Sequence, residues 1–246
     1  MSTYVGVDWA SKGWVAVVHE DGDWKAEMHP SIHSVWFSYR HAQNILIDIP
    51  IGLPESQRRV CDQQAKEYIG TDRASSVFWT PCRDVLNAMT YEEAKQINHK
   101  RRGNKISSQT WHILPRIQEV DCLLRDSKVA RKTILESHPE VCFTALSSGS
   151  NISISSKLDG DGFDQRLAIL DNYTSATAIY ENFVDRYITS LPQWSRRIGK
   201  SNRDDLVDAL ALAVTAKLAT ENLSTLPDDP PTDKTGLPMQ IVYTES

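Results

Sequence analysis

The stretch that decides the fold is Tyr4–His29, YVGVDWASKGWVAVVHEDGDWKAEMH. Three short apolar runs, at 4–9, 13–20 and 23–29, are separated by Ala10-Ser11-Lys12 and by Asp21-Gly22. Asp-Gly between two apolar runs is a hairpin signal, because both residues tolerate the positive φ of a tight turn. The chain is therefore expected to open as three antiparallel strands, the first interrupted by a carboxylate, Asp8. Next, SIHSVWFSYRHA (31–42) predicts a helix. NILIDIP (44–50) is a short β-branched run of the kind that forms a buried parallel strand, and it too ends in a carboxylate, Asp48.

Working outward, residues 53–130 read mostly as helix, at 56–69, 82–102 (broken near Thr90) and 107–126. In the last of these Ile113, Ile117, Val120 and Leu124 recur at three- and four-residue steps, a helical stripe. Between them lies the irregular GTDRASSVFWTPCR (70–83), whose mix of polar, aromatic and arginine residues suits a functional loop. KTILES (132–137) predicts a strand, and PEVCFTAL (139–146) a helix with Pro139 near its start. SSGSNISISSK (147–157) reads as a polar loop, followed by helices at about 161–172 and 175–190. SNRDDLVDALALAVTAKLA (201–219) is a helix with capping candidates Ser201 and Asn202, early acids and a late lysine. The domain reading is one α/β domain over 1–220 with a helical insertion near 53–130. An acidic, proline-rich tail follows at 221–246, with an edge strand at 239–243.

Composition excludes several classes. The chain has 246 residues, 40% of them apolar, enough for a sizeable core. It contains no apolar run of membrane-spanning length, and its first residues lack the basic-then-apolar order of a secretory signal. Cys61, Cys82, Cys122 and Cys142 stand far apart without a C-x-x-C pair, which excludes a zinc ribbon and a thioredoxin-type site. Reduced thiols in a cytoplasmic protein are the expectation. The net charge of −5 is concentrated in residues 221–246, where five acids face one base; the remainder is near neutral and compatible with a polyanionic partner.

Three places hold acids that a purely structural chain does not need. Asp8 and Asp48 sit at the ends of consecutive core strands, and Asp204, Asp205 and Asp208 crowd the start of an alanine-rich helix. Buried carboxylates are costly unless compensated, and a divalent cation with its preference for hard oxygen relieves their repulsion. Asp205 and Asp208 lie about 60° apart around a helix and Asp204 and Asp208 about 40°, so either pair can face one point. For Asp204 the simpler reading is complementing the helix dipole.

Five motifs, in order, carry a resemblance. Val5–Ala10 (VGVDWA), Ile47–Gly52 (IDIPIG), Ser75–Arg83 (SSVFWTPCR), Glu136–Glu140 (ESHPE) and Asp204–Ala209 (DDLVDA) resemble the DUF429 family of predicted ribonuclease H-like nucleases. More distantly, Asp8, Asp48 and the Asp205-x-x-Asp208-Ala209 ending are similar to the acidic set of RuvC-type resolvases. The resemblance implies a mixed sheet of three antiparallel and two parallel strands flanked by helices. It also implies two-metal hydrolysis of nucleic acid phosphodiesters with Mg²⁺ or Mn²⁺. Asp8 would bridge the ions, Asp48 and Asp208 would each hold one, and Asp205 would be a further ligand or orienter. Asp48 stands where RuvC-type enzymes usually carry glutamate, and its side chain reaches less far. Glu136 is a further catalytic candidate, completing the acidic set or orienting water with His138.

Basic and aromatic residues supply the expected substrate contacts, with DNA or RNA as partner. Arg73, Arg83, Lys12 and Trp79 are the leading candidates. Guanidinium groups bind phosphates bidentately, Lys12 lies just past Asp8, and Trp79, like Phe78, can stack on a base. Arg58, Arg59 and the run Lys100–Lys105 are weaker cases, since a basic helix end is commonly only solvated. Self-association would suit a two-fold substrate. Two rival readings stand beside the nuclease: a non-catalytic ribonuclease H-like scaffold, and an actin-like phosphotransferase or ATPase. The latter needs a second glycine-rich phosphate loop that the sequence lacks.

Overall fold

The opening runs form β1 (Thr3–Trp9), β2 (Trp14–Glu20) and β3 (Asp23–His29) in the computed structural model. The model describes residues 2–148, 161–196, 198–199, 202–219 and 223–245. Asp21 and Gly22 take φ of 53° and 95°, the two positive angles of a type I′ turn. α1 (Ile32–Tyr39) begins at Ser31, whose hydroxyl accepts from the Ser34 amide while the Ser34 side chain accepts from the Ser31 amide. β4 (Asn44–Ile47) is shorter than the apolar run that encodes it.

The middle of the chain is helical: α2 (Val60–Ile69), α3 (Tyr91–Arg102), α4 (Ser108–Asp126) and α5 (Lys128–Thr133). The break expected near Thr90 is real, because the Thr90 hydroxyl accepts from the Glu93 amide and starts α3. After it come β5 (Ile134–Glu136), α6 (Pro139–Leu146), α7 (Gly162–Asp171) and α8 (Ala176–Val184), the last running into a π turn at Asp185–Thr189. α9 (Asp204–Leu218) follows, then β6 (Ser224–Leu226) and β7 (Ile241–Tyr243), which pair in a two-stranded sheet. Of the capping candidates for α9, Asn202 instead donates to the Ser11 hydroxyl at 2.8 Å. Ser201 and most of the polar loop 147–157 lie outside the described residues. Among the described residues no helix is long and apolar enough to cross a membrane.

Two compact units divide the chain. The first comprises Met1–Asp48, Lys132–Ser224 and Val242–Ser246; the second comprises Ile49–Arg131 and Thr225–Ile241. The second unit spans the residues read as a helical insertion, 53–130, together with 225–241 of the stretch read as a tail.

In the first unit the sheet order is β3-β2-β1-β4-β5. β1, β2 and β3 pair antiparallel, while β4 and β5 join β1 in parallel. This is the mixed five-stranded α/β arrangement that the resemblance implies, consistent with a ribonuclease H-like fold. α9 packs across β1, β2 and β4 and is buried continuously from Leu206 to Ala216. Its close approach depends on Gly6: a Cβ there would lie 2.1 Å from the Ala209 carbonyl oxygen and 2.2 Å from the Ala213 nitrogen. Small residues on both sides let backbone meet backbone.

The second unit is held by buried polar bonds. Arg59 pairs with Asp62 at 2.5 Å, and Asp62 also accepts from the Thr80 amide at 3.0 Å. Asn98 accepts from the Cys82 amide at 3.0 Å and donates to the Asn104 carbonyl at 2.9 Å. Arg83 reaches Asp121 through two nitrogens, at 2.7 and 3.0 Å, and bonds Asp233 as well. Asp233 in turn accepts from the amides of Leu53, Thr235 and Leu237. That lattice ties 225–241 to this unit: Asp233 is a buried partner, while Asp228 and Asp229 are exposed.

Candidate acidic site

Strand register places the first two acids. β1 and β4 are parallel with Val7 opposite Ile47, and the Asp48 amide continues the ladder to the Val7 carbonyl at 3.1 Å. Asp8 and Asp48 are thus lateral neighbours on adjacent strands. Side chains alternate between faces, so Asp8 shares a face with Gly6, the face on which α9 lies. α9 brings Asp205 and Asp208 to the same region through its first two turns.

Electrostatics agree with the register. Asp8 is buried, and burial holds its carboxyl well above the usual range; the charges of Asp48, Asp205 and Asp208 push it in the same direction. The Trp9 amide, donating to Asp8 at 2.6 Å, acts in the opposite sense. Cys142 on α6 is a second witness. Burial raises its thiol to about 11, and Asp48 and Asp208 add to the rise while a bond with Ser137 lowers it. Asp204 stands in the first turn of α9, where the helix dipole favours an acid.

The same register places Glu136. It is level with Ile47 in the β4–β5 ladder, as Val7 is in the β1–β4 ladder. It therefore shares the face of Val7 and Ile47, opposite the face of Asp8 and Asp48. The residue level with Asp48 is Ser137, whose hydroxyl donates to the Val242 carbonyl at 2.7 Å and lies 3.2 Å from the Cys142 sulfur. His138 caps α6 by accepting from the Glu140 amide at 3.2 Å, and Glu140 pairs with buried Arg166 at 2.6 Å.

The donor set is wholly carboxylate oxygen, the chemistry that suits Mg²⁺ or Mn²⁺. Among the described residues no three His, Cys, Asp or Glu side chains are grouped closely enough to enclose an ion. By this test the donor chemistry fits, and the backbone positions are adjacent. Asp8 and Asp48 on adjacent strands, about 5 Å apart, and Asp205 and Asp208 one helical turn apart are the two pairs whose backbones are neighbours.

The expected substrate contacts are placed differently. Arg83 is only 7% exposed and its guanidinium is engaged by Asp121 and Asp233, so a phosphate would have to displace two carboxylates. Arg73 is half-buried and donates to the Ile69 carbonyl at 3.3 Å, at the end of α2. The Trp79 ring carries Arg58 at 4.0 Å and Lys66 at 5.0 Å, so cations already lie against it. In the basic run, Arg101 pairs with Asp84 at 2.5 Å and Arg102 donates to the Thr80 carbonyl. Lys12 is exposed and borders a cavity of about 540 Å³, together with Ser11, Gln193, Arg196 and Asn202. Sequence reasoning missed Gly6, although a glycine inside a β-branched strand signals close backbone approach. It also missed Arg203, Phe163 and Tyr180, which surround Asp208 in a cavity of about 380 Å³.

The fold and site define a class: an α/β protein with a mixed five-stranded sheet and two aspartates at the ends of its central strands, Asp8 buried and Asp48 half-buried. Within that class the chain belongs to the DUF429 family, proteins of unknown function, whose family model matches residues 6–232. Neither a curated protein nor a solved structure matches the chain significantly.

Proposed function

We propose that this protein is a metal-dependent nuclease that hydrolyses nucleic acid phosphodiesters. The observation that carries the reading is Asp8: a buried carboxylate at the end of a central strand, burdened by the charges of Asp48, Asp205 and Asp208. Burying like charges together costs stability, and such perturbed carboxylates concentrate at functional sites. Asp8, Asp48 and Asp208 would hold two Mg²⁺ or Mn²⁺ ions, with Asp205 as a further ligand. Bound there, the ions supply an activated water and stabilise the leaving oxygen. The protein's own part is to fix the carboxylates on two adjacent strands and one helix, so that little reorganisation accompanies the reaction.

Calorimetry with MgCl₂ and MnCl₂, followed by cleavage assays on defined single-stranded, duplex and branched DNA and RNA, tests the reading. Metal binding that is lost in Asp8→Asn, together with cleavage lost in the same variant, supports it. Equal cleavage by both proteins points to a contaminant or another site. The spacing of the carboxylates favours one second reading, a ribonuclease H-like scaffold that binds nucleic acid without cutting it. Nucleic acid binding with no cleavage under either metal selects that alternative.

A further inference from the structure

A cavity of about 380 Å³ opens beside Asp208, and its walls are unlike the acidic site itself. Phe163 of α7 and Tyr180 of α8 both line it, with ring centroids 5.2 Å apart at 64°. Both rings are half-buried against the apolar core, and in such an edge-to-face pair the ring that offers its edge does not have its faces covered by its partner. Arg166 also lines the cavity; it is 2% exposed, paired with Glu140 at 2.6 Å and set over the Phe143 ring. Its charge is neutralised there and its position is fixed. Arg203, just before α9, brings a second guanidinium, and its Nε is buried with no hydrogen-bond partner among the described residues. Asp204 and Asp208 complete the wall on the α9 side.

These features select an occupant. The volume suits a small planar ligand and is too small for a paired duplex end. Two carboxylates and two guanidiniums balance in the wall, so charge does not select the occupant and the aromatic pair does. An aromatic pair binds any base through its π-face. We infer that the cavity takes one unpaired nucleobase of a nucleic acid strand, stacked at Phe163 and Tyr180, with its nucleotide adjoining Asp208 and the acidic site. This deepens the nuclease reading and rests on it: the substrate would carry an unstacked or terminal nucleotide next to the phosphate presented to Asp8 and Asp208.

The test separates the cavity from the chemistry. Binding of adenosine 5′-monophosphate, ribose 5-phosphate and inorganic phosphate to the full chain is followed by amide NMR shifts, without and with MgCl₂. Adenosine 5′-monophosphate should shift amides of α7, α8 and the start of α9, and should bind roughly tenfold more weakly to Phe163→Ala and Tyr180→Ala, as expected for loss of a base–aromatic stack. Tyr180→Phe, which keeps the ring, should bind like wild type and controls for folding. Equal binding of ribose 5-phosphate, or adenosine 5′-monophosphate binding indifferent to both alanine substitutions, overturns the base site even if the wild type cleaves nucleic acid. Ring-dependent binding in a protein that cuts nothing with either metal leaves the base site standing and removes the nuclease. A second arm uses Asp8→Asn with a single-stranded oligonucleotide and a fully paired hairpin. Preference for the single strand that is lost in Tyr180→Ala, Asp8→Asn supports the strand assignment. Ring dependence confined to the free mononucleotide overturns it in favour of a nucleotide-binding site.

Discussion

Asp8 in the first unit and Asp233 in the second are both buried aspartates, and their surroundings push them in opposite directions. Asp233 accepts from three backbone amides and the Thr235 hydroxyl and pairs with Arg83, so its carboxyl is held below the usual range although burial opposes this. Asp8 receives the Trp9 amide and the fields of three further acids, and burial is the largest cause of its rise. The contrast separates two uses of buried charge. Where guanidinium and amides meet the carboxylate, the charge holds a fold together. Where carboxylates meet carboxylates, the fold bears a cost that a bound cation would relieve.

The largest expected effect is on chemistry. Asp8→Asn should reduce Mg²⁺- or Mn²⁺-dependent cleavage by on the order of 10³-fold, since several kcal/mol of charge stabilisation depends on the metal site. Steady-state cleavage assays beside the wild type check this, and comparable rates would break the contrast on the Asp8 side. Arg83→Ala should act on stability, costing about 3–5 kcal/mol by stranding buried Asp121 and Asp233. Denaturant unfolding reads the loss. A stable Arg83→Ala protein whose nucleic acid affinity falls, with a shallower salt dependence, would return Arg83 to substrate binding.

Gly6→Ala should cost about 1–3 kcal/mol, because the new methyl group meets backbone rather than a movable side chain. An unchanged melting temperature would show that α9 can retreat from β1 freely.

Two pH effects sharpen the comparison through their opposite signs. Because the folded-state carboxyl of Asp8 is raised, the metal-free fold binds its proton more tightly than the unfolded chain does. Stability is then lost as pH rises from the unfolded value, about 3.9, through the folded one. Asp8→Asn removes that loss, so the variant's advantage over wild type should grow with pH. Asp233 behaves oppositely: its contribution is present above about 3.9 and disappears as pH falls through its lower folded value. Asp233→Asn should therefore be destabilising at neutral pH, with the deficit shrinking in acid. Urea titrations at several pH values, without added metal, measure both.

Much of this was legible in local sequence. Asp-Gly marked the β2–β3 turn, Thr90 the start of α3, and Pro139 the start of α6, because turns and caps are decided by residues a few positions apart. Asp8, Asp48, Asp205 and Asp208 stood out because acids interrupt apolar patterns there. Glu136 stood out as the end of an expected strand beside Pro139, but its face is set by its register against β4, which composition does not reveal. Arg83 was illegible for a different cause. Its partners are Asp121 and Asp233, the latter 150 residues away, and only the folded chain brings a tail acid to a loop arginine.

Gly6 acts as a gauge for the acidic site. The close approach of the α9 backbone at Ala209 and Ala213 to Gly6, which leaves no room for a Cβ, sets how near α9 stands to β1, one residue from Asp208 and two from Asp8. Carboxylate spacing is thus calibrated by a position with no side chain and no charge. Any substitution there or at Ala213 that props the helix outward would detune the distance between Asp8 and Asp208 while leaving every acid in place.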